Sequence, residues 1–136
     1  MLDCSHKPAA AWGELFSTAF VGRRARGAIV DELIRDKRLI DKLDRFPVFG
    51  RGLRPTDSLG RVAIAEYDIP VCVFGLTVHP GDLVVCGSDG SIVISRDHAH
   101  EIMKKACEKA LTENNARELL LNGGLLRDVW EKYRVL

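Results

Sequence analysis

Short apolar runs, none near the roughly 18 residues of a membrane span, lie between two stretches of helical periodicity. That order restricts the chain to strands packed in layers with helices outside them. Trp12, Leu15, Phe16 and Ala19 follow the spacing of a helix with one buried face, closed by Gly27. The helix begins either near Pro8, which suits a first turn, or at Gly13. Ala28-Ile29-Val30 reads as a short buried strand, and Lys37 to Leu43 as a short helix with Leu39, Ile40 and Leu43 on its apolar side. The middle is β-rich. Pro47-Val48-Phe49 forms a strand ended by Gly50, Arg61 to Tyr67 alternates, and Val71 to Phe74 is a further run. Pro80-Gly81-Asp82 marks a turn, and Ser88-Asp89-Gly90-Ser91 joins Leu83–Cys86 to Ile92–Ile94 as a hairpin. Asp97 then caps a long helix whose core stripe is Ala99, Ile102, Met103, Ala106, Ala110 and Leu111. It runs through Leu119 and Leu120 to the stop at Asn122-Gly123-Gly124, before a final amphipathic segment from Leu125 to Tyr133. With 136 residues and no linker or repeat, the expectation is one α/β domain with a C-terminal helical segment.

Composition narrows the function by exclusion. Twenty basic and nineteen acidic residues leave a net charge of +1, with no nucleic-acid stripe and no basic membrane patch. The N-terminus has no basic region followed by an apolar core, so it does not read as a secretory signal. Cys4, Cys72, Cys86 and Cys107 are widely spaced, without a C-x-x-C, and Cys72 and Cys86 fall in strand-like runs as reduced core residues. The expected compartment is the cytoplasm. His6, His79, His98 and His100 show no i, i+4 pair of the metal-binding kind. No P-loop or G-x-S-x-G elbow occurs, and Gly50-Arg51-Gly52 lacks the rest of a dinucleotide fingerprint.

The remaining candidate is the segment from Gly13 to Asp36, in which Glu14 precedes Arg35-Asp36 by twenty intervening residues. Arginine can give two parallel hydrogen bonds to a planar carboxylate or keto acid. Aspartate offers a hard oxygen ligand for Mg²⁺, which commonly takes only one or two protein carboxylates. A helix beginning at Gly13 turns the N–H groups of Glu14, Leu15 and Phe16 outward, where they can bind an anion. The residues alone also allow the plain alternative, a surface ion pair between Arg35 and Asp36.

Several pieces occur in a fixed order: Gly13-Glu14-Leu15, Arg26 to Asp31, Ile34-Arg35-Asp36, Phe46 to Phe49, Pro80 to Val85, Asp89-Gly90, and the closing Tyr133-Arg134-Val135-Leu136. In that order and spacing the chain resembles the family of the regulator of ribonuclease E activity A and the 4-hydroxy-4-methyl-2-oxoglutarate aldolases, over roughly residues 3 to 136. The resemblance implies a swivelling β/β/α three-layer domain and a homotrimer, or a hexamer, with sites between subunits. It implies a class II aldolase that cleaves 4-hydroxy-4-methyl-2-oxoglutarate-type substrates to pyruvate, with oxaloacetate decarboxylase activity. The main chain of Gly13, Glu14, Leu15 and Phe16 would hold the substrate carboxylate, Arg35 the keto oxygen, and Asp36 a divalent cation, Mg²⁺ or Mn²⁺. Glu14 is the candidate to orient a water acting as base.

The sequence departs from that pattern in four places. Phe16 stands where leucine is commoner, Leu39 where many relatives have an acid, and Glu32 where small residues are usual. The usual N-terminal segment, which reaches a neighbour's site, is expected to be missing. The rival readings are a non-catalytic regulator that binds a protein partner, and an inactive remnant.

Overall fold

The computed structural model describes residues 1–4 and 9–135, which fall into two compact units, Met1–Pro80 and Gly81–Leu136. The sequence-predicted architecture holds as a mixed α/β fold with a C-terminal helical segment. Pro8 and His6 lie outside the described residues.

The first unit is built on a parallel sheet of β1 (Ala10–Trp12), β2 (Ala28–Ile34) and β3 (Val48–Leu53), in that order. Helix α1 (Glu14–Gly22) links the first pair and α2 (Lys37–Ile40) the second, the crossovers that parallel neighbours require. Trp12 therefore belongs to a strand and not to the helical face suggested by its spacing. Its indole Nε1–H donates to Ser17 Oγ at 2.8 Å, and its ring stacks on Phe16 at 5.4 Å between centroids. The core gathers Cys4, Ala11, Trp12, Val30, Ile34, Ile40 and Phe46. Val30 is fully enclosed because β2 is the central strand, covered on both sides.

Several expectations are corrected here. Helix α1 ends at Gly22, earlier than Gly27, at a turn where Arg24 takes a φ of 61°. Strand β2 continues past Val30 to Ile34, and buries both Asp31 and Glu32. Beyond Ile40, Lys42 and Leu43 bond three residues back, so α2 stops short of Leu43 as a regular helix. Strand β3 runs through Gly50 and Gly52 to Leu53. Arg61 to Tyr67 forms no strand, and Ile64 and Tyr67 are exposed while Val62 is half-buried.

The run at Val71 to Phe74 is half of a hairpin: β4 (Val71–Val73) pairs antiparallel with β5 (Leu76–Val78). Phe74 and Gly75 take φ values of 50° and 81°, the two positive angles of a type I′ turn. Glycine accepts that geometry freely. Phenylalanine does not, and Phe74 is steadied by its N–H donating to Asp31 Oδ2 at 2.9 Å and by the Arg51 guanidinium 5.0 Å from its ring centre. Cys72 on this hairpin is exposed, contrary to its expected core position, whereas Cys4 is the buried cysteine; all four are free thiols.

In the second unit β6 (Leu83–Gly87) and β7 (Gly90–Ile94) form the expected hairpin. Helix α3 (Ala99–Leu121) and α4 (Leu126–Tyr133) follow. The cap position of α3 is His98, not Asp97, and no side chain caps it. Its expected core stripe is largely uncovered. Ala116 is its one buried residue, and Leu111 is 65% exposed. A two-stranded ribbon and an eight-residue helix present too little surface to cover a helix of 23 residues. No described helix is long and apolar enough to cross a membrane.

Candidate active site

Three chain segments leave the carboxyl ends of the parallel strands and meet there, the usual position for a ligand site in such sheets. β1 ends at Trp12 and passes through Gly13 directly into α1. β2 ends at Ile34 and releases Arg35-Asp36, with Arg35 N–H donating to Trp12 O at 2.9 Å. β3 ends at Leu53, and the loop after it crosses the end of β2: Arg54 N–H donates to Ile34 O at 2.9 Å, and Ala10 N–H donates to Thr56 O at 3.0 Å.

This convergence encloses a cavity of about 130 Å³ lined by Ala10, Ala11, Trp12, Gly13, Leu15, Phe16, Arg35 and Ser58. It thus brings together four of the six residues singled out by sequence. At about 30 Å³ per water it has room for roughly four waters, or one small organic acid. A more open groove of about 520 Å³ lies on the other side of Asp36, lined by Lys37, Arg38, Leu39 and Lys42.

Gly13 is needed for proximity. Its backbone is extended (φ −151°, ψ −172°), which any residue adopts. A Cβ there would stand 3.0 Å from both Arg35 Nε and Asp36 Oδ2. Having no side chain, Gly13 also leaves the first turn of α1 uncapped. The first-turn amides were expected to face outward together, and one does not. Glu14 N–H points to Asp36 Oδ2 at 3.4 Å, a long contact. Ser17 N–H closes the first helical bond to Gly13 O at 3.2 Å. The amides of Leu15 and Phe16, both cavity-lining residues, have no hydrogen-bond acceptor among the described residues.

Asp36 holds a left-handed conformation (φ 60°, ψ 28°), which aspartate tolerates better than most residues, and this turns its carboxylate back toward α1. Oδ2 lies 3.5 Å from Arg35 Nε. The ion pair expected as the plain alternative therefore exists, but it is open: Arg35 is 29% and Asp36 40% exposed. Among the described residues no three acidic, histidine or cysteine side chains cluster as a metal cage. A single accessible carboxylate beside that cavity is the kind of donor taken by a cation such as Mg²⁺ that keeps most of its waters or shares its ligands with a substrate.

Glu14 does not join this group through its side chain. Its Oε1 accepts from Thr18 Oγ1 at 2.7 Å, along its own helix. Leu39 is exposed on the groove side of Asp36. Glu32 is buried within β2 and its Oε1 accepts from Leu33 N–H at 3.0 Å.

Two residues here escaped sequence reasoning. Ser58 lines the cavity, and Asp57 Oδ2 accepts a hydrogen bond from Arg35 Nη1. Asp57 Oδ1 also accepts from Leu59 N–H at 2.6 Å. That backbone bond, and then Arg35, hold the Asp57 carboxyl below the usual carboxylate range. The available signal was Asp57-Ser58-Leu59-Gly60, an Asx-turn pattern separated from the end of β3 by three residues.

Residues 1–93 match the RraA-like family (Aldolase/RraA). An uncharacterised protein of Methanocaldococcus jannaschii is 34% identical over 121 residues, 88% of this chain and 57% of that protein. A putative 4-hydroxy-4-methyl-2-oxoglutarate aldolase of Halalkalibacterium halodurans is 32% identical over 100 residues, 74% of this chain and 46% of that protein. Among solved structures, Streptomyces coelicolor RraAS2, described as an unusual member of the RNase ES inhibitor RraA protein family, superposes with a TM-score of 0.70 at 28% identity. That match covers 85% of this chain and 57% of RraAS2. The chain thus spans about half the length of these relatives.

Proposed function

We propose that this chain, which belongs to the RraA-like family, carries the 2-keto-acid and cation half of a class II aldolase site. The reading extends to 4-hydroxy-4-methyl-2-oxoglutarate-type substrates and to oxaloacetate, both of which give pyruvate. The observation that supports it most is the cavity at the start of α1, where Leu15, Phe16 and Arg35 line one small volume beside Asp36. An aldolase-named relative adds to that support.

The residues divide the work as follows. The amides of Leu15 and Phe16 receive the substrate carboxylate, aided by the positive end of the helix. Arg35 donates to the keto oxygen, where negative charge grows as the carbon–carbon bond breaks. Asp36 would hold a divalent cation, Mg²⁺ or Mn²⁺, whose chemistry when bound is to polarise that same oxygen as a Lewis acid. Buried Trp12 forms one wall of the cavity, while Leu15 and Phe16 stand at its solvent-facing side. The proton acceptor for the substrate hydroxyl is not among the residues that line the cavity. A homotrimer or hexamer would let a neighbour supply it.

The test is pyruvate release from oxaloacetate or 4-hydroxy-4-methyl-2-oxoglutarate with Mg²⁺. Release above the metal-only blank that disappears with chelator and with Arg35→Ala supports the aldolase reading. Its absence in wild type favours the second reading, a non-catalytic regulator. One observation speaks for that rival: α1 leaves Leu15 77% exposed beside exposed Phe16, Phe20 and Val21, an apolar face suited to a protein partner.

A further inference from the structure

Arginine 35 has four rotatable bonds and two carboxylates within reach, and which of them holds it decides what the site can bind. Its Nε lies 3.5 Å from Asp36 Oδ2, while its Nη1 donates to Asp57 Oδ2. Asp57 is itself fixed from several directions. Its Oδ1 takes Leu59 N–H at 2.6 Å, and its main-chain oxygen accepts from Arg61 Nη1 at 3.2 Å. The preceding residue, Thr56, is tied to β1 through Ala10 N–H at 3.0 Å and receives Arg54 Nε–H on its hydroxyl at 3.3 Å. Asp57 is therefore a carboxylate anchored by main chain on one oxygen and presented to Arg35 with the other. Leu59 N–H first, and then Arg35, hold its carboxyl below the usual carboxylate range, so both contacts favour the charged form.

We propose that Asp57 is a positioning residue that draws the Arg35 guanidinium away from Asp36, aiming its remaining donors into the cavity and leaving Asp36 for a cation. The inference rests on the keto-acid reading of that cavity. Without Asp57, Arg35 closes onto Asp36, and the anion clamp and the cation ligand cancel one another. Asp57 itself touches no reacting atom. It acts through Arg35, as an orienting partner does for a catalytic group.

The experiment measures oxalate, a planar dicarboxylate, binding to the full chain with Mg²⁺ by calorimetry. Wild type, Asp57→Asn, Asp57→Glu and Arg35→Ala are compared. Asn keeps an acceptor for Leu59 N–H, so the loop persists and the melting temperature stays near that of wild type. Oxalate affinity is expected to fall about tenfold in Asp57→Asn, the scale of one charge-assisted hydrogen bond, and to recover in part in Asp57→Glu. In the ligand-free protein the Arg35 Nε–H nitrogen resonance is expected to move in Asp57→Asn, a signature that a purely structural role for the loop would not produce. Wild-type affinity and an unmoved Arg35 resonance in Asp57→Asn overturn the proposal, and loss of binding in Arg35→Ala alongside them leaves the keto-acid reading standing. Unchanged binding in Arg35→Ala overturns the keto-acid reading itself.

Discussion

Two aspartate–arginine pairs occupy the same strand and its end, and their surroundings are opposite. Asp31 lies within β2, only 5% exposed, with Arg51 Nε 2.5 Å from Oδ1 and Phe74 N–H on Oδ2. Both oxygens are engaged by groups of the fold, so the pair fastens the β4–β5 turn to the sheet. Asp36 lies just beyond the strand, 40% exposed, at a long 3.4 Å from Glu14 N–H and 3.5 Å from Arg35. The same two residue types thus make a fastener where the aspartate is buried and its contacts are short, and a candidate binding corner where the aspartate is open and its contacts are long beside a cavity. Composition does not separate the two; the position along the parallel strand does.

The sharpest way to break this comparison is to remove each arginine function in turn. Arg35→Ala is expected to lower pyruvate release by a hundredfold or more, about 3 kcal/mol of transition-state stabilisation. Its urea midpoint should stay close to that of wild type, because the side chain is partly exposed. Asp31→Ala should do the reverse. Phe74 N–H loses its acceptor and Arg51 its partner, and unfolding free energy falls by about 2 kcal/mol in urea melts. Gly13→Ala tests the corner without removing a charge. The new methyl would stand 3.0 Å from Arg35 Nε and Asp36 Oδ2, displacing both slightly, and turnover should drop by about tenfold with little change in stability.

The smallest effect concerns Cys4, at the buried side of the sheet. Burial first, and then the carboxylates of Glu32, Asp3 and Asp31, push its thiol from 9.0 up to about 11. The raised value means the folded state favours the protonated thiol. Its contribution is fully present below pH 9 and is lost as the pH climbs toward 11. Thermal melts across that interval should decline less steeply for Cys4→Ala than for wild type. At pH 8 a thiol reagent should modify exposed Cys72 and Cys107 and spare Cys4.

Much of this was legible in the sequence where a local rule had no competitor. The Asp89-Gly90 hairpin and the stop at Asn122-Gly123 follow from turn and cap chemistry that needs only neighbouring residues, whereas the sequence left the first helix start open between Pro8 and Gly13. The misreadings arose where tertiary contacts decide. Trp12 shares a helical spacing with Leu15 and Phe16, yet it pairs with Ile34 in the sheet and leaves only its ring against α1. β3 passes through two glycines because pairing with β2 outweighs their weak strand preference. Phe74 hid a turn, since an aromatic residue at positive φ is unexpected without the Asp31 and Arg51 contacts that support it. The α3 stripe was read as core from its period alone, and periodicity cannot say whether anything covers it. In the candidate site, Arg35 and Asp36 were singled out from the sequence, with Gly13 as one of two possible helix starts. Asp57 was not, because it lies 22 positions along the chain from the arginine it holds.

The most direct test of the central claim makes the same conservative change at both arginines. Lysine keeps the charge but loses the planar fork, which matters only where two oxygens must be gripped together. Initial rates of pyruvate release from oxaloacetate with Mg²⁺ should be compared for wild type, Arg35→Lys and Arg51→Lys, each per mole of folded protein. The account predicts a loss of at least about tenfold for Arg35→Lys and a near wild-type rate for Arg51→Lys. Equal rates in the two variants, or a wild type no faster than the metal-only blank, would contradict it.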